Sequence, residues 1–382
     1  MIVPPWWKIR RELRRIVDQA LAIPTFLAEV AWFELHRWLS LGGGRCHAGG
    51  GRPGADVAIY VLYQPGGILA STIGTCRHLA ENGYSVRVVS NAPLSQTDVA
   101  RLAPYCHRVT ERPNHGYDFG AYQFAVNALL SEGASLDNLL LLNDSVWFPT
   151  LAGCDLLDRL RASTADFAGP VLYRHRKARL THLQSYMLHF RRTALESAAF
   201  ARFWRTYRMS GSKRWTIRFG EMRLTSFLAE GGLQYEGLHD ALSLPDAIDV
   251  LSDEDLSEVL RYEAQRDHRF AAESKTLAQS VQTRGGRARS LEFLQATGRK
   301  RYFLSNHPAI HLGLLRCSIL KKDRSPEFQA QRRTILERGQ AGWPGFDATI
   351  FDEIHAWGPP TRGEGNPRRY RADVALAEGG VE

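Results

Sequence analysis

The chain lacks what would staple a secreted domain or carry a span across a membrane. Its 382 residues hold only five cysteines, at 46, 76, 106, 154 and 317, with no C-x-x-C pair and no even framework. That excludes a disulfide-built extracellular scaffold and points to a reducing compartment. No stretch reaches the roughly 18 uncharged residues a spanning helix needs; the apolar run after Pro24 is broken by Glu29, Glu34 and Arg37. No small-residue cleavage site follows a clean apolar core, so a secretory signal is not expected. A G-x-G-x-x-G fingerprint is missing, and Gln64-Pro65-Gly66-Gly67 is a weak substitute that leaves only a place for a nucleotide base at a strand end. There are no internal repeats.

What is present is globular. The residues are 44% hydrophobic and 23% charged, enough for one large α/β domain or two small ones. Positive charge dominates, with 49 Lys and Arg against 40 Asp and Glu, a net charge of +9. Such an excess suits an anionic partner: nucleic acid, anionic lipid or a nucleotide diphosphate.

Residues 1–41 form the first unit. Lys8, Arg10, Arg11, Arg14 and Arg15 interleave with Trp6, Trp7, Ile9, Leu13, Ile16 and Val17, which predicts an amphipathic helical arm with a basic flank. The pattern fits an anionic membrane surface, with a helix packed on the protein's own body as the alternative. Residues 42–55 are rich in glycine and read as a flexible linker. From residue 56, strands at 57–63 and 84–90 alternate with helices at 67–82 and 95–102, the pattern of βαβ units and a mostly parallel sheet flanked by helices. A helix at 155–161 and a strand at 167–173 follow, and the basic run Arg174 to Arg179 is either a solvated face or a steering patch. Residues 276–289 read as polar and mobile, and a disordered tail is expected from Trp357 on. The domain is therefore drawn over 56–325, with a helical extension and tail over 326–382.

The chain is organised around residues 112–149. A short polar loop, R-P-N-H-G-Y-D-F-G, opens a helix, and the apolar strand 139–142 then ends abruptly in Asn143-Asp144-Ser145. In open α/β sheets ligands bind beyond the carboxyl ends of the strands, so both polar clusters should face one pocket. Gly116 can take a positive φ, and Asp118 falls in the first helical turn, where a carboxylate suits the helix dipole. Capping and ligand roles are both open for Asn114 and Asp118. Asn143 to Ser145 also make a good turn, but Trp147 and Phe148 straight after them supply the aromatic wall of a pocket. Residues 181–190 read as one strand, whose alternation sends His182, Gln184 and Tyr186 to one face and Leu183, Ser185 and Met187 to the other. A helix over 194–207 is followed by another, beginning near Glu221 and stopped by Gly231-Gly232.

R-P-N-H-G-Y-D-F-G, then L-L-L-N-D-S at 140–145 and T-H-L-Q-S-Y-M-L at 181–188, together resemble the rhamnan synthesis protein F family of bacterial polysaccharide biosynthesis, over about residues 56–324. Asn306-His307-Pro308 and Leu320-Lys321-Lys322 are similar to that family's C-terminal part, and the two lysines either close over a diphosphate or stay solvated. More distantly the layout is similar to family 2 glycosyltransferases of the GT-A fold. In those, an N-x-G loop precedes a helix, a strand ends in Asp-x-Asp, and a later Glu-Asp pair starts a helix and supplies the base.

The resemblance implies a GT-A-like, Rossmann-like domain and an inverting glycosyltransferase that moves a deoxysugar from a nucleotide sugar such as dTDP-rhamnose to a glycan or lipid-linked acceptor. Glu221 would be the base, although Gly220 and Met222 flank it in place of the usual acidic neighbour. Asn114, Gly116, Asp118, Asn143, Asp144, Ser145, His182, Gln184, Ser185 and Tyr186 would hold donor and acceptor. Asn143 and Ser145 stand where the two aspartates would be, so a Mg2+ or Mn2+ ion would rely on Asp144. The expected location is cytoplasmic, peripheral at the inner face of the plasma membrane through residues 4–41. A non-catalytic scaffold of a polysaccharide assembly complex is the second reading. A nucleic-acid partner is not expected, because the basic and aromatic residues interleave in the arm, apart from the Asn-Asp-Ser cluster.

Overall fold

A computed structural model describes residues 44–357 other than 134, 176, 241–243 and 299–301, together with isolated positions between 6 and 35. The expected arm over 4–41 lies outside the described residues except at those positions, where Trp6, Leu27 and Trp32 are exposed and helical. The expected tail beyond Trp357 also lies outside them. No helix among the described residues is long and apolar enough to cross a membrane.

Among the described residues nine strands make the main sheet. They are β1 (Cys46–Ala48), β2 (Asp56–Leu62), β3 (Ser85–Ser90), β4 (Arg108–Glu111), β5 (Asn138–Asn143), β7 (Phe167–Tyr173), β8 (His182–Leu183), β9 (Met187–Arg191) and β10 (Tyr235–His239). A small second sheet pairs β6 (Val146–Trp147) with β11 (Leu320–Lys321), antiparallel. The main order is β1-β4-β3-β2-β5-β9-β7-β10, with β8 beside β7. Strands β4, β3, β2 and β5 are all parallel, whereas β9 runs against both β5 and β7.

The apolar run of β2 explains why this sheet is covered on both faces. Ala58, Tyr60 and Leu62 enter one hydrophobic cluster with Val86, Val88, Leu140 and Leu142. Val57, Ile59 and Val61 enter another, with Leu139, Leu141 and the Phe119 and Tyr122 side chains of the Tyr117–Glu132 helix. Period-two alternation in a strand with no polar face leaves no side for water, and each large apolar side chain so buried contributes about 1.5–3 kcal/mol. The chain proceeds from β2 outward through β3 to β4, then returns to place β5 on the other side of β2. That reversal is the switch point of a doubly wound sheet, and it opens a crevice between the ends of β2 and β5.

Several expectations need correction. The glycine-rich linker is structured in its described part: β1 pairs antiparallel with β4, and Gly50 and Gly51 donate to the carbonyls of Ala103 and Cys106. Small residues serve there because the backbones touch; a Cβ on Gly49 would lie 1.9 Å from the Cys106 oxygen. The stretch 181–190 is two strands, β8 and β9, with residues 184–186 turning between them. The helix expected over 194–207 is split into Arg192–Leu195 and Ala198–Thr206, because Ser197 caps the second piece by accepting from the Phe200 amide at 3.1 Å. Residues 276–289, read as mobile, fall largely in the helices Ala271–Ser280 and Gly286–Gly298.

The C-terminal elements are bound to the sheet end. Trp147 packs with Leu312, Leu320, Ile335 and Trp343 and with Ile350 and Ile354 of the Ala348–Trp357 helix. Glu353 of that helix accepts from the Trp147 indole at 2.8 Å and from the Ser71 amide and hydroxyl at 2.8 and 2.6 Å. This clasp brings β11, and with it Lys321, to the end of β5.

Two glycines test the packing. In the Tyr117–Glu132 helix a Cβ on Gly120 would fall 2.0 Å from the His115 carbonyl oxygen, whereas on Gly74 of the Ala70–Glu81 helix it would meet nothing within 4 Å. Gly120→Ala should lower unfolding stability by about 1–3 kcal/mol through overpacking. Gly74→Ala should raise it by about 0.5–1 kcal/mol, since glycine inside a helix is the poorer residue. Urea denaturation of both variants checks the pair.

Candidate functional site

The crevice at the switch point is a cavity of about 460 Å³. Of the residues named from the sequence, Asn114, Asp118, Asn143, Asp144, Ser145, His182, Gln184, Ser185, Tyr186 and Glu221 all line it. Gly116 does not, and acts on the backbone instead.

The loop before the Tyr117–Glu132 helix is strained and held. Gly116 and Tyr117 are both left-handed, with φ of 71° and 55°. A tyrosine in that region costs about 1–3 kcal/mol, which the surroundings must offset. Its hydroxyl donates to the Gly211 carbonyl at 3.0 Å, and its own carbonyl accepts from Asn91 Nδ2 at 3.1 Å. Behind them Arg112 is buried, donating to Asn91 Oδ1 at 2.6 Å and to the His115 carbonyl at 2.8 Å. Burial pulls its guanidinium down to about 10. A Cβ on Gly116 would strike Met209 at 2.9 Å, so glycine is required there by space as well as by φ.

Asn143-Asp144-Ser145 is both a turn and part of the cavity lining. Asn143 Oδ1 accepts from the Ser145 amide at 3.1 Å and from the Ser145 hydroxyl at 2.5 Å, while its Nδ2 donates to Asp118 Oδ2 at 3.0 Å. Lys321 Nζ donates to Ser145 Oγ at 3.0 Å. A continuous chain therefore runs from an ammonium through a hydroxyl and an amide to a carboxylate, each bond polarising the next. Asp144 faces the other way: its Oδ2 accepts from the Tyr63 amide at 2.9 Å and from Gln64 Nε2 at 3.0 Å, tying the end of β5 to the end of β2. Gln64 in turn accepts from the Leu69 amide at 2.8 Å and donates to Thr72 Oγ1 at 2.8 Å.

Another segment of the lining carries Glu221. It closes a π-helical segment, Ile217–Glu221, from which the Met222–Glu230 helix continues, so it precedes that helix where the sequence pattern put it at the start. The extra residue per turn of a π segment re-aims its side chains, a device frequent at functional sites. Gly220 has a packing reason: a Cβ there would lie 2.7 Å from the Phe119 ring. Glu221 Oε1 accepts from the Ser185 amide at 3.3 Å and lies 4.0 Å from His182 Nε2. His182 Nδ1 is 2.8 Å from the Leu180 carbonyl, which can only accept, so that nitrogen carries the hydrogen and Nε2 faces Glu221 and Gln184. Gln184 Oε1 accepts from the Tyr302 hydroxyl at 2.5 Å. The expected alternation fails at Ser185, which lines the cavity together with its neighbours because residues 184–186 form a turn.

The sequence reading put the aromatic wall at Trp147 and Phe148, which are buried in the hydrophobic clusters and do not line the cavity, and it missed the tyrosine rim and one ammonium. Tyr63, Tyr117, Tyr173 and Tyr302 line the cavity, as do Asn91, Lys213 and Asp323. Tyr302 reaches Gln184 from 118 residues away, a contact that no local pattern encodes. Among the described residues the basic run 174–179 contributes no wall to the cavity, and Arg174 pairs with Asp240.

Charge in the cavity is mixed. Burial and the nearby charge of Glu221 push the Asp118 carboxyl up to about 6. Burial also pulls Lys321 and Lys322 below the ordinary lysine range, an effect opposed for Lys321 by Glu221, Asp323 and Asp118 and for Lys322 by Asp144 and Glu353. Lys321 stands 5.1 Å over the Tyr186 ring and Lys322 5.4 Å over Trp147. No group of three or more His, Cys, Asp or Glu converges to hold a metal among the described residues.

The raised Asp118 has a signed consequence. A carboxyl that binds its proton more tightly folded than unfolded favours the fold at low pH, and that contribution is lost as pH rises through about 6. The stability advantage of wild type over Asp118→Asn, read as urea midpoints, should shrink between pH 4 and pH 7 and then level off. An advantage independent of pH would contradict it.

Residues 86–255 match the family model described as rhamnan synthesis protein F, a span that contains Asn114, the Asn143–Ser145 turn, His182 and Glu221 but stops short of Lys321. Along almost its whole length the chain is 32% identical, over 358 residues, to "Uncharacterized protein y4gN" of Sinorhizobium fredii (strain NBRC 101917 / NGR234), covering 92% of this chain and 91% of that protein. A solved structure titled "Crystal Structure of A197 from STIV" aligns with 47% of this chain and 80% of its own at 11% identity, with a TM-score of 0.26. On the family match and the near full-length relative, the chain belongs to the rhamnan synthesis protein F family.

Proposed function

We propose that the cavity binds a nucleotide sugar and transfers its sugar, with inversion, to a hydroxyl of a growing glycan. The family's role in rhamnan and polysaccharide synthesis supplies the context, and a deoxysugar such as rhamnose on dTDP is the donor this reading favours. The observation that carries it is that Glu221 and the lysine-ended chain Lys321, Ser145, Asn143 and Asp118 line one cavity at the sheet's switch point. The layout accords with a GT-A-like arrangement.

Sugar transfer needs a base, an oriented donor and relief of charge on the departing diphosphate. Glu221 takes the proton of the acceptor hydroxyl as its oxygen bonds to the sugar's anomeric carbon. The C–O bond to the diphosphate breaks on the opposite face, and the electron pair leaves with the phosphate oxygen. Asn114, Asp118 and the 182–186 turn orient the sugar by its hydroxyls, while the tyrosines of the rim give ring faces to base and sugar. The Ser185 amide holds Glu221 Oε1, with the His182 ring beside it. The same reading assigns the basic residues of 4–41 to an anionic membrane surface at the cytoplasmic face, beside a lipid-linked acceptor.

A scaffold that keeps the pocket without the reaction is the second reading. It is favoured by one observation: Asn143 and Ser145, in place of acids, are spent on each other and on Asp118.

Glu221→Gln separates the two. It should lower kcat by about 10²- to 10⁴-fold with donor affinity unchanged, the loss expected for a general base. Turnover near that of wild type would reject the base assignment, and donor binding without turnover in wild type would favour the scaffold.

A further inference from the structure

The family-2 likeness brings with it a divalent cation bound at Asp-x-Asp, and the donor set here does not fit one. Asn143 and Ser145 carry no charge, and both are already hydrogen-bonded within the turn. Asp144 has its Oδ2 committed to two donors on the β2 side. An ammonium, Lys321 Nζ, sits 3.0 Å from Ser145 Oγ, at one of the two positions where the family-2 motif has an aspartate.

Lysine stands where that cation would act. Lys321 ends β11 and Lys322 follows it, and the antiparallel pairing of β11 with β6 fixes them against the turn, with the Lys322 amide donating to the Ser145 carbonyl at 2.8 Å. Both line the cavity, one facing the Asp118 and Glu221 side and the other facing Asp144. Each ammonium rests over an aromatic ring, and Lys321, with one hydrogen on Ser145 Oγ, keeps two N–H donors for an anion. Each ammonium shares the cavity with carboxylates, Glu221, Asp323 and Asp118 near Lys321 and Asp144 and Glu353 near Lys322, and a ligand phosphate would add a charge-assisted partner.

Resting on the transferase reading above, we propose that Lys321, aided by Lys322, neutralises the nucleoside diphosphate in place of a metal ion, so that donor binding and sugar transfer are metal-independent. In the reaction both lysines stay protonated. Lys321 donates a hydrogen bond to the diphosphate oxygen that receives the electron pair as its bond to the sugar breaks, and the acceptor's proton goes to Glu221.

Isothermal titration of the full chain with dTDP and with UDP tests this, in EDTA, in Mg2+ and in Mn2+. The expected result is one diphosphate bound with an affinity that changes less than threefold among the three buffers. Lys321→Met, which keeps the packed stem, should weaken that binding at least tenfold while its melting temperature stays at or above that of wild type; Lys321→Arg should recover most of the loss. Binding that appears only with Mg2+ or Mn2+, or that survives Lys321→Met unchanged, overturns the lysine role and leaves the transferase reading standing. No binding of either diphosphate in any buffer overturns both.

Discussion

The structure depends on the side-by-side burial of β2 and β5. Both strands are apolar on their two faces, so each must lie inside the sheet, and their parallel register brings Val61 opposite Asn143. Where the apolar residues end, the chain must turn into solvent at the same level on both strands. The tie from Asp144 to the Tyr63 amide and to Gln64 joins those two ends and sets the floor of the cavity. Hydrophobic burial thus determines where the polar cluster lies, and one carboxylate determines its shape.

Around that floor three separate segments converge. The strained Gly116-Tyr117 start of a helix presents Asp118, the turn between β8 and β9 presents His182 to Tyr186, and a π segment presents Glu221. A fourth, β11, arrives only because Trp147 and Glu353 bind the C-terminal helices to the sheet end. The positive charge read from composition is therefore partly placed: Lys213, Lys321 and Lys322 face into a cavity that also holds Asp118, Asp144 and Glu221. Cationic and anionic side chains share the same small volume.

Much of this was legible in the residues. The strand ends of β2 and β5, the helix opened by the 112–120 loop, and Glu221 near the start of a helix all followed from apolar periodicity and turn chemistry, which are local. What failed was non-local. The 42–55 stretch reads as a linker because glycines are permissive, yet β1 needs its small residues to approach the backbone near Cys106. Ser185 was assigned to the wrong face because alternation holds only while a strand continues, and this one turns at 184–186. Tyr302 and the position of Lys321 follow from contacts across more than a hundred residues, for which one sequence carries no signal.

The central claim is that this cavity holds a nucleotide sugar. Thermal unfolding of the full chain against a panel of dTDP- and UDP-sugars, in the presence of EDTA and of Mg2+, measures it most directly. A donor that binds only the folded chain adds about 2.7 kcal/mol of stability at a hundredfold excess over its dissociation constant, a plain rise in Tm. The account predicts such a rise with one class of donor. Unchanged melting with every nucleotide sugar in both buffers would contradict it.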